Sequence, residues 1–192
     1  MICSDKTGTL TLNDMTVSGY KTARAMCDPP TSGSVENLKD VNALIETGVV
    51  CNNAGAETGS ATEKALLAFG AKNGLEDIRT SRYSRVGEIP FSSERKYMAV
   101  QCEQTTDGAT VYFMKGAVEE VVSKCKFYLA NGQPQEMGPP ARQAVGRACQ
   151  EMGAKGLRVV GMARGPDKDA LAFAGIVGLQ DPLRPGKNSN GV

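Results

Sequence analysis

Two strand-like runs, Tyr97–Glu103 and Ala109–Met114, flank the turn-forming stretch QTTDG. Apolar runs joined by a short turn rich in Asp and Gly read as a β-hairpin. A hairpin in mid-chain constrains the fold more than any other local feature, because it commits the centre to antiparallel pairing. The surrounding segments fit that frame. Strands are expected at Tyr83–Ile89 (ending at Pro90), Leu157–Ala163 and Leu171–Leu179, with a strand end in the Ser18–Pro30 region that passes into the breaker-rich loop Cys27–Ser34. Helices are expected after an Asp40 N-cap, with Val41, Leu44, Ile45 and Val49 at helical spacing, and from Thr62 to Asn73 with a stop at Gly74. Two more are expected at Ala117–Cys125 and Pro139–Met152, the latter with Ala141, Ala144, Val145, Ala148 and Met152 on one stripe. Hairpins mixed with helices, rather than regular βαβ units, predict an α/β chain of the α+β type: a mostly antiparallel, twisted sheet flanked by helices.

Composition narrows the function. At 192 residues the chain can hold one sizeable core. A net charge of +1 offers no basic face for nucleic acid. The longest apolar run, Leu171–Leu179, falls short of the ~20 residues that cross a bilayer. No signal peptide is visible. The six cysteines are dispersed, with no C-x-x-C pair, as expected of reduced thiols. With no histidine, His-based triads are excluded and a zinc site is disfavoured. There is no G-x-x-x-x-G-K-[ST] and no G-x-G-x-x-G, so nucleotide chemistry must use another design.

Near the start stands CSDKTGTLT, Cys3–Thr11. A carboxylate such as Asp5 can attack phosphorus and form an aspartyl phosphate. Lys6 supplies positive charge, Gly8 lets backbone approach closely, and Thr7 and Thr9 offer hydroxyls and amides to phosphate oxygens.

DKTGTLT resembles the phosphorylation loop of P-type ATPases, the ion pumps that form an aspartyl phosphate from ATP. Further stretches match that family in the same order: TGSATEKALL (Thr58–Leu67), PFSSERKYMAV (Pro90–Val100), FMKGAVEEVVSKC (Phe113–Cys125), GLRVVGMA (Gly156–Ala163) and DPLRP (Asp181–Pro185). Within the family, PFSSERKYMAVQC, FMKGA and MGAKGLRVVGMARGP look most like the secretory-pathway Ca²⁺/Mn²⁺ pumps. The resemblance implies a phosphorylation-loop fragment at 1–9, a nucleotide-binding domain at 10–180, and a hinge with a loose tail at 181–192. The hinge strands would be Leu10–Met15 and the segment of Asp181, Pro182 and Arg184.

By the same resemblance Asp5 is the phosphoryl acceptor, assisted by Lys6 and Thr7, with Asp5 and Thr7 as Mg²⁺ ligands only in the full pump. ATP would be held by Phe91, stacked on adenine; by Lys96, placing charge near the nucleotide; and by Lys115, deep in the adenine site. Gly116 and Ala117 are the small neighbours against which the ligand backs. Met98 would close the apolar side, or simply pack in the core. Arg158 would grip phosphates with its guanidinium fork. Glu63 has two readings: the second half of a Ser60-x-x-Glu63 capping box, and a hydrogen-bond partner near the adenine amino group. Ser93 stands where many family members carry arginine, which implies weaker ATP binding.

No T-G-D and no G-D-G-x-N-D is found, so the chain reads as a fragment whose partners are the remaining phosphorylation, actuator and transmembrane domains of one pump. It is expected to bind ATP, to be soluble without touching the membrane directly, and to sit on the cytosolic side of a Golgi or secretory-pathway membrane. The competing expectations are a haloacid-dehalogenase-like phosphatase and a non-catalytic partner-binding module. The phosphatase is disfavoured because Thr7 stands where those enzymes usually carry a second aspartate.

Overall fold

The computed structural model describes residues 15–27, 37–55 and 58–181. Its centre is the hairpin: β3 (Tyr97–Gln104) pairs with β4 (Thr110–Gly116) in unbroken antiparallel register, from Tyr97 opposite Gly116 to Glu103 opposite Thr110. β2 (Tyr83–Ile89) adds to the outer edge of β3, with a bulge between Arg85 and Gly87. β7 (Arg158–Gly165) adds to the other side of β4, and β8 (Leu171–Gln180) follows it antiparallel.

The far edge of β8 is shared. Its first residues, Leu171–Phe173, pair parallel with β5 (Cys125–Ala130), and Gly175–Gln180 pair antiparallel with β1 (Thr16–Thr22). Gly175 stands at the changeover with φ +147°, and a Cβ there would come within 2.4 Å of the Lys21 carbonyl oxygen. β6 (Gln133–Glu136) closes that end by pairing with β5. Among the described residues the result is an eight-stranded sheet, antiparallel except at β5–β8.

Helices cover both faces. α2 (Leu38–Val50), α3 (Ala61–Lys72) and the short α4 (Ile78–Ser81) lie over one, where Ile45, Val49 and Ile78 meet Met98, Val100 and Phe113. α1 (Ala23–Cys27), α5 (Val118–Ser123) and α6 (Pro139–Ala154) lie over the other, where Val121, Val145 and Met152 join a core with Phe173 and Ile176. β8 is buried on both faces over nine of its residues, hence its unbroken apolar run. That run is a central strand, and no helix among the described residues is long and apolar enough to cross a membrane.

Some local expectations need correction. The N-cap of α2 is Asn37, whose side chain accepts from the Lys39 N–H; Asp40 lies one turn in and is 1% exposed. Its carboxylate instead accepts from the N–H groups of Asn131 (2.9 Å) and Gly132 (2.7 Å), the left-handed turn between β5 and β6. Residues 23–27, expected to be loop, form α1. The β5–β6 hairpin and α4 were not anticipated.

Candidate functional site

One end of the sheet gathers residues from four separated segments. β4 ends there in Lys115 and Gly116, β3 begins there, and the loop from β2 to β3 carries Phe91 and Lys96. Lys115 and Met98 are opposite each other in the β3–β4 register. Both therefore face the α2–α3 side, as Val100 and Phe113 do.

Lys115 is 6% exposed, and its Nζ lies 3.2 Å from Glu63 Oε1. Glu63 reaches it from the first turn of α3. Ser60 starts that helix with a complete capping box: the Glu63 N–H donates to Ser60 Oγ (3.3 Å), and the Ser60 N–H donates to Glu63 Oε2 (3.2 Å). The Asn53 N–H donates to Glu63 Oε1 at 3.0 Å. Helix cap and ion-pair partner are thus one side chain, which uses one oxygen for each task. Burial works against the Glu63 carboxylate, but the Lys115 ammonium and the Asn53 and Ser60 N–H groups outweigh it and hold its pKa down at about 2. Burial pulls the Lys115 pKa below its ordinary value, against the opposing pull of Cys51 and Glu63. Cys51, fully buried, has its thiol pushed up to about 12 by burial.

Gly116 is where the loop meets β4. Its missing Cβ would stand 2.4 Å from the Lys96 carbonyl oxygen and 2.6 Å from Tyr97 Cα. That oxygen accepts from the Ala117 N–H at 2.9 Å, and Lys96 takes a left-handed φ of +57° to present it. The loop is closed on itself: the Lys96 N–H donates to Ser92 O (2.7 Å), and the Arg95 N–H to Ser92 Oγ (3.1 Å). Phe91, at its start, is 57% exposed, and the Lys96 side chain is exposed.

The expected residues therefore fall into three groups. Glu63, Lys115, Met98, Gly116, Ala117 and Lys96 are brought together at one sheet end, with Phe91 on the loop beside them. Met98, 2% exposed, packs in the core cluster with Phe113. Arg158 begins β7 at the same end, three residues before Gly161, the partner of Gly116. It shares its face with Val160 and Met162 but stands about 10 Å further along the strand, exposed. Asp181 directly follows β8, half-buried, with Oδ1 lacking a hydrogen-bond partner among the described residues. Asp5, Lys6, Thr7, Pro182 and Arg184 lie outside the described residues.

A second network, Arg85, Glu88, Asn52 and Asn53, backs the Glu63–Lys115 pair and was missed in the sequence. Its local trace is Arg85 and Glu88 at i, i+3 in a strand exposed at five of its seven residues, which reads as an ordinary solvated edge. A cleft of about 680 Å³ opens at the opposite end of the sheet, lined by residues including Ala43, Val111, Leu129 and Arg164. A second, about 430 Å³, lies along β2–β4 and includes Gln101, Tyr112 and Lys168. Neither is lined by Phe91 or Lys115; the Glu63–Lys115 pair bridges α3 and β4.

Residues 34–186 match the family model for the P-type ATPase cytoplasmic domain N. The chain is 41% identical to the calcium-transporting ATPase type 2C member 2 of Homo sapiens and 37% identical to the type 2C member 1 of the same species, each over 97% of its own length. It is 34% identical to calcium-transporting ATPase 1 of Schizosaccharomyces pombe over 96%. The chain spans 22% of the length of each of these relatives. It belongs to the P-type ATPase family, and what it carries is that family's cytoplasmic domain N, a mixed α/β fold with an open sheet flanked by helices.

Proposed function

We propose that this chain is the ATP-holding cytosolic part of a calcium-transporting P-type ATPase, with manganese as an alternative cargo, in a Golgi or secretory-pathway membrane. The observation that carries the reading is the buried Lys115 at the end of β4, paired with Glu63 and hydrogen-bonded, through Ala117 and Lys96, to the loop that bears Phe91. An apolar ring exposed on a closed loop beside a buried ion pair suits a purine: stacking on Phe91, with hydrogen-bonding edges turned toward Glu63 and Lys115. Met98, buried in the core beneath, would back the apolar side without offering open surface. Gly116 and Ala117 would let the base come close to backbone. Lys96 and Arg158, both exposed, would meet the phosphates.

In the complete pump the γ-phosphoryl group would pass to Asp5, with Lys6 and Thr7 beside it, as the domain swings on the hinge at Asp181, Pro182 and Arg184. Among the described residues no three His, Cys, Asp or Glu side chains come together to hold a metal. In the whole protein Mg²⁺ would be held by Asp5 and Thr7, and nucleotide capture by this domain is expected without it. The remaining phosphorylation, actuator and transmembrane domains would be its partners.

The test is a titration of the chain with ATP, without Mg²⁺, followed by amide shifts. Phe91→Ala and Lys115→Ala are each expected to weaken binding about 10- to 100-fold. Unchanged affinity in both would refute the site. Phosphate release from a small phosphomonoester, lost in Asp5→Asn, would favour the phosphatase reading instead.

A further inference from the structure

Glu63 Oε1 is held by two donors, Lys115 Nζ and the Asn53 N–H, so its place depends on the loop after α2 as much as on its own helix. That loop is pinned from β2. Arg85 Nη2 donates to the carbonyls of Val50 (3.0 Å) and Asn52 (2.8 Å), and Arg85 Nη1 donates to Asn53 Oδ1 (2.5 Å). Glu88 completes a triangle: its Oε2 accepts from Arg85 Nη1 (3.3 Å), and its Oε1 accepts from Asn53 Nδ2 (2.6 Å). Both ends of the Asn53 side-chain amide are thereby fixed, and its backbone N–H is aimed at Glu63. Arg79 adds two bonds to the same loop, to Asn52 O (3.3 Å) and Ala54 O (3.0 Å).

We propose that Arg85 is a positioning residue for purine discrimination, acting through Asn53 on Glu63. This rests on the adenine-site reading above. An ionised carboxylate only accepts hydrogen bonds. It can receive one from the 6-amino group of adenine, whereas the 6-oxo group of hypoxanthine or guanine would face it acceptor to acceptor. Rejection of such a base requires that Glu63 cannot turn away, because a mobile carboxylate would swing to solvent and leave the 6-oxo group unopposed. Lys115 and Ser60 hold Glu63 from two directions, and Arg85, acting through Asn53, adds the restraint from the loop. It does so from a strand edge, outside contact with the base. Four hydrogen bonds from one guanidinium to the loop and its flanking acid fix the geometry in a way lysine cannot reproduce.

The experiment compares ATP with inosine triphosphate, both without Mg²⁺, on the full 192-residue chain. Arg85→Met is expected to lower the ATP-over-ITP affinity ratio about tenfold, largely through tighter relative ITP binding. Arg85→Lys is expected to recover little of it. In a Glu63→Gln background, Arg85→Met should leave the ratio unmoved, because its route of action is already gone. Asn53→Ala, which keeps Arg85 bonded to Val50 and Asn52, should lower the ratio in the same direction and serves if Arg85→Met does not fold. Equal loss of ATP and ITP affinity, or a full effect persisting in Glu63→Gln, would overturn the proposal and leave Arg85 a structural pin. If Phe91→Ala and Lys115→Ala leave ATP binding intact, the adenine-site reading fails instead, and the two failures are distinct.

Discussion

Replacing Lys115 by methionine tests the electrostatics of the site without any ligand. In the folded chain the Glu63 carboxyl titrates at about 2, against an ordinary value of 4.5. A fall of that size corresponds to about 3 kcal/mol. Solvent still reaches the group, whose side chain is 14% exposed, and screening reduces the figure to about 1–2 kcal/mol. Because the folded pKa is the lower one, this stability is fully present above about pH 4.5 and is lost as pH falls toward 2. Lys115 is the strongest influence lowering that pKa; the N–H groups of Asn53 and Ser60 remain without it. Lys115→Met should therefore flatten the pH dependence. Between pH 5 and pH 3, wild type is expected to lose about 1 kcal/mol through this carboxyl and the variant less than half of that. Other carboxyl groups titrate alike in both proteins and cancel in the difference. Stability at pH 7 is a poorer readout, since the substitution also removes the cost of burying an ammonium. Urea unfolding at pH 3, 4, 5 and 7 measures the two slopes. Parallel curves between pH 3 and pH 5 would refute the claim that Lys115 governs the ionisation of Glu63.

Two further perturbations probe the supports of the site and of the sheet. Gly116→Ala drives a methyl into the Lys96 carbonyl and Tyr97 Cα, both backbone atoms that cannot swing aside. A cost of about 2–3 kcal/mol is expected, with faster amide exchange at Ala117 and weaker ATP binding; a stability within 0.5 kcal/mol or so of wild type would contradict the close approach. Asp40→Ala removes the acceptor for the Asn131 and Gly132 N–H groups, and about 2–3 kcal/mol should be lost, with those two amides losing protection first in hydrogen exchange.

What the sequence made legible follows from how local each signal is. The β3–β4 hairpin is written in one unbroken stretch, Tyr97–Gly116, and the α3 capping box in four residues, Ser60–Glu63; both are present. The β5–β6 hairpin is not legible by pattern: all four residues of β6, Gln133–Glu136, are exposed and one is Pro134, so no alternation exists to read. Asp40 and Asn37 are both good N-cap residues, and only a partner 91 residues away, the turn at Asn131, draws Asp40 inside. The same holds for the site. Glu63 and Lys115 are 52 residues apart, and nothing in either segment announces the other; their nearness was carried by resemblance. Arg85 gave no clear sign, because an arginine in an edge strand ordinarily points to water.

Phe91 is the residue whose placement asks for a ligand most directly. Of the five phenylalanines, Phe113 and Phe173 are fully buried and Phe69 and Phe127 are half-covered, while Phe91 alone is mostly exposed. Burying such a ring contributes about 1.5–3 kcal/mol, so leaving it in water forfeits much of that. The loop does not fold it away, although its backbone is firmly made: Ser92 accepts from both Lys96 and Arg95, Arg95 reaches back to the Pro90 carbonyl, and Lys96 is tied to Ala117. The loop backbone that carries the ring is already ordered, so a flat ligand that lands on it has only the side-chain rotamer left to fix. Preorganisation of this kind makes stacking worth its full value, and it makes Phe91→Ala informative: stability should barely change, while nucleotide affinity falls. A variant that lost stability and affinity together would place the ring in the core after all.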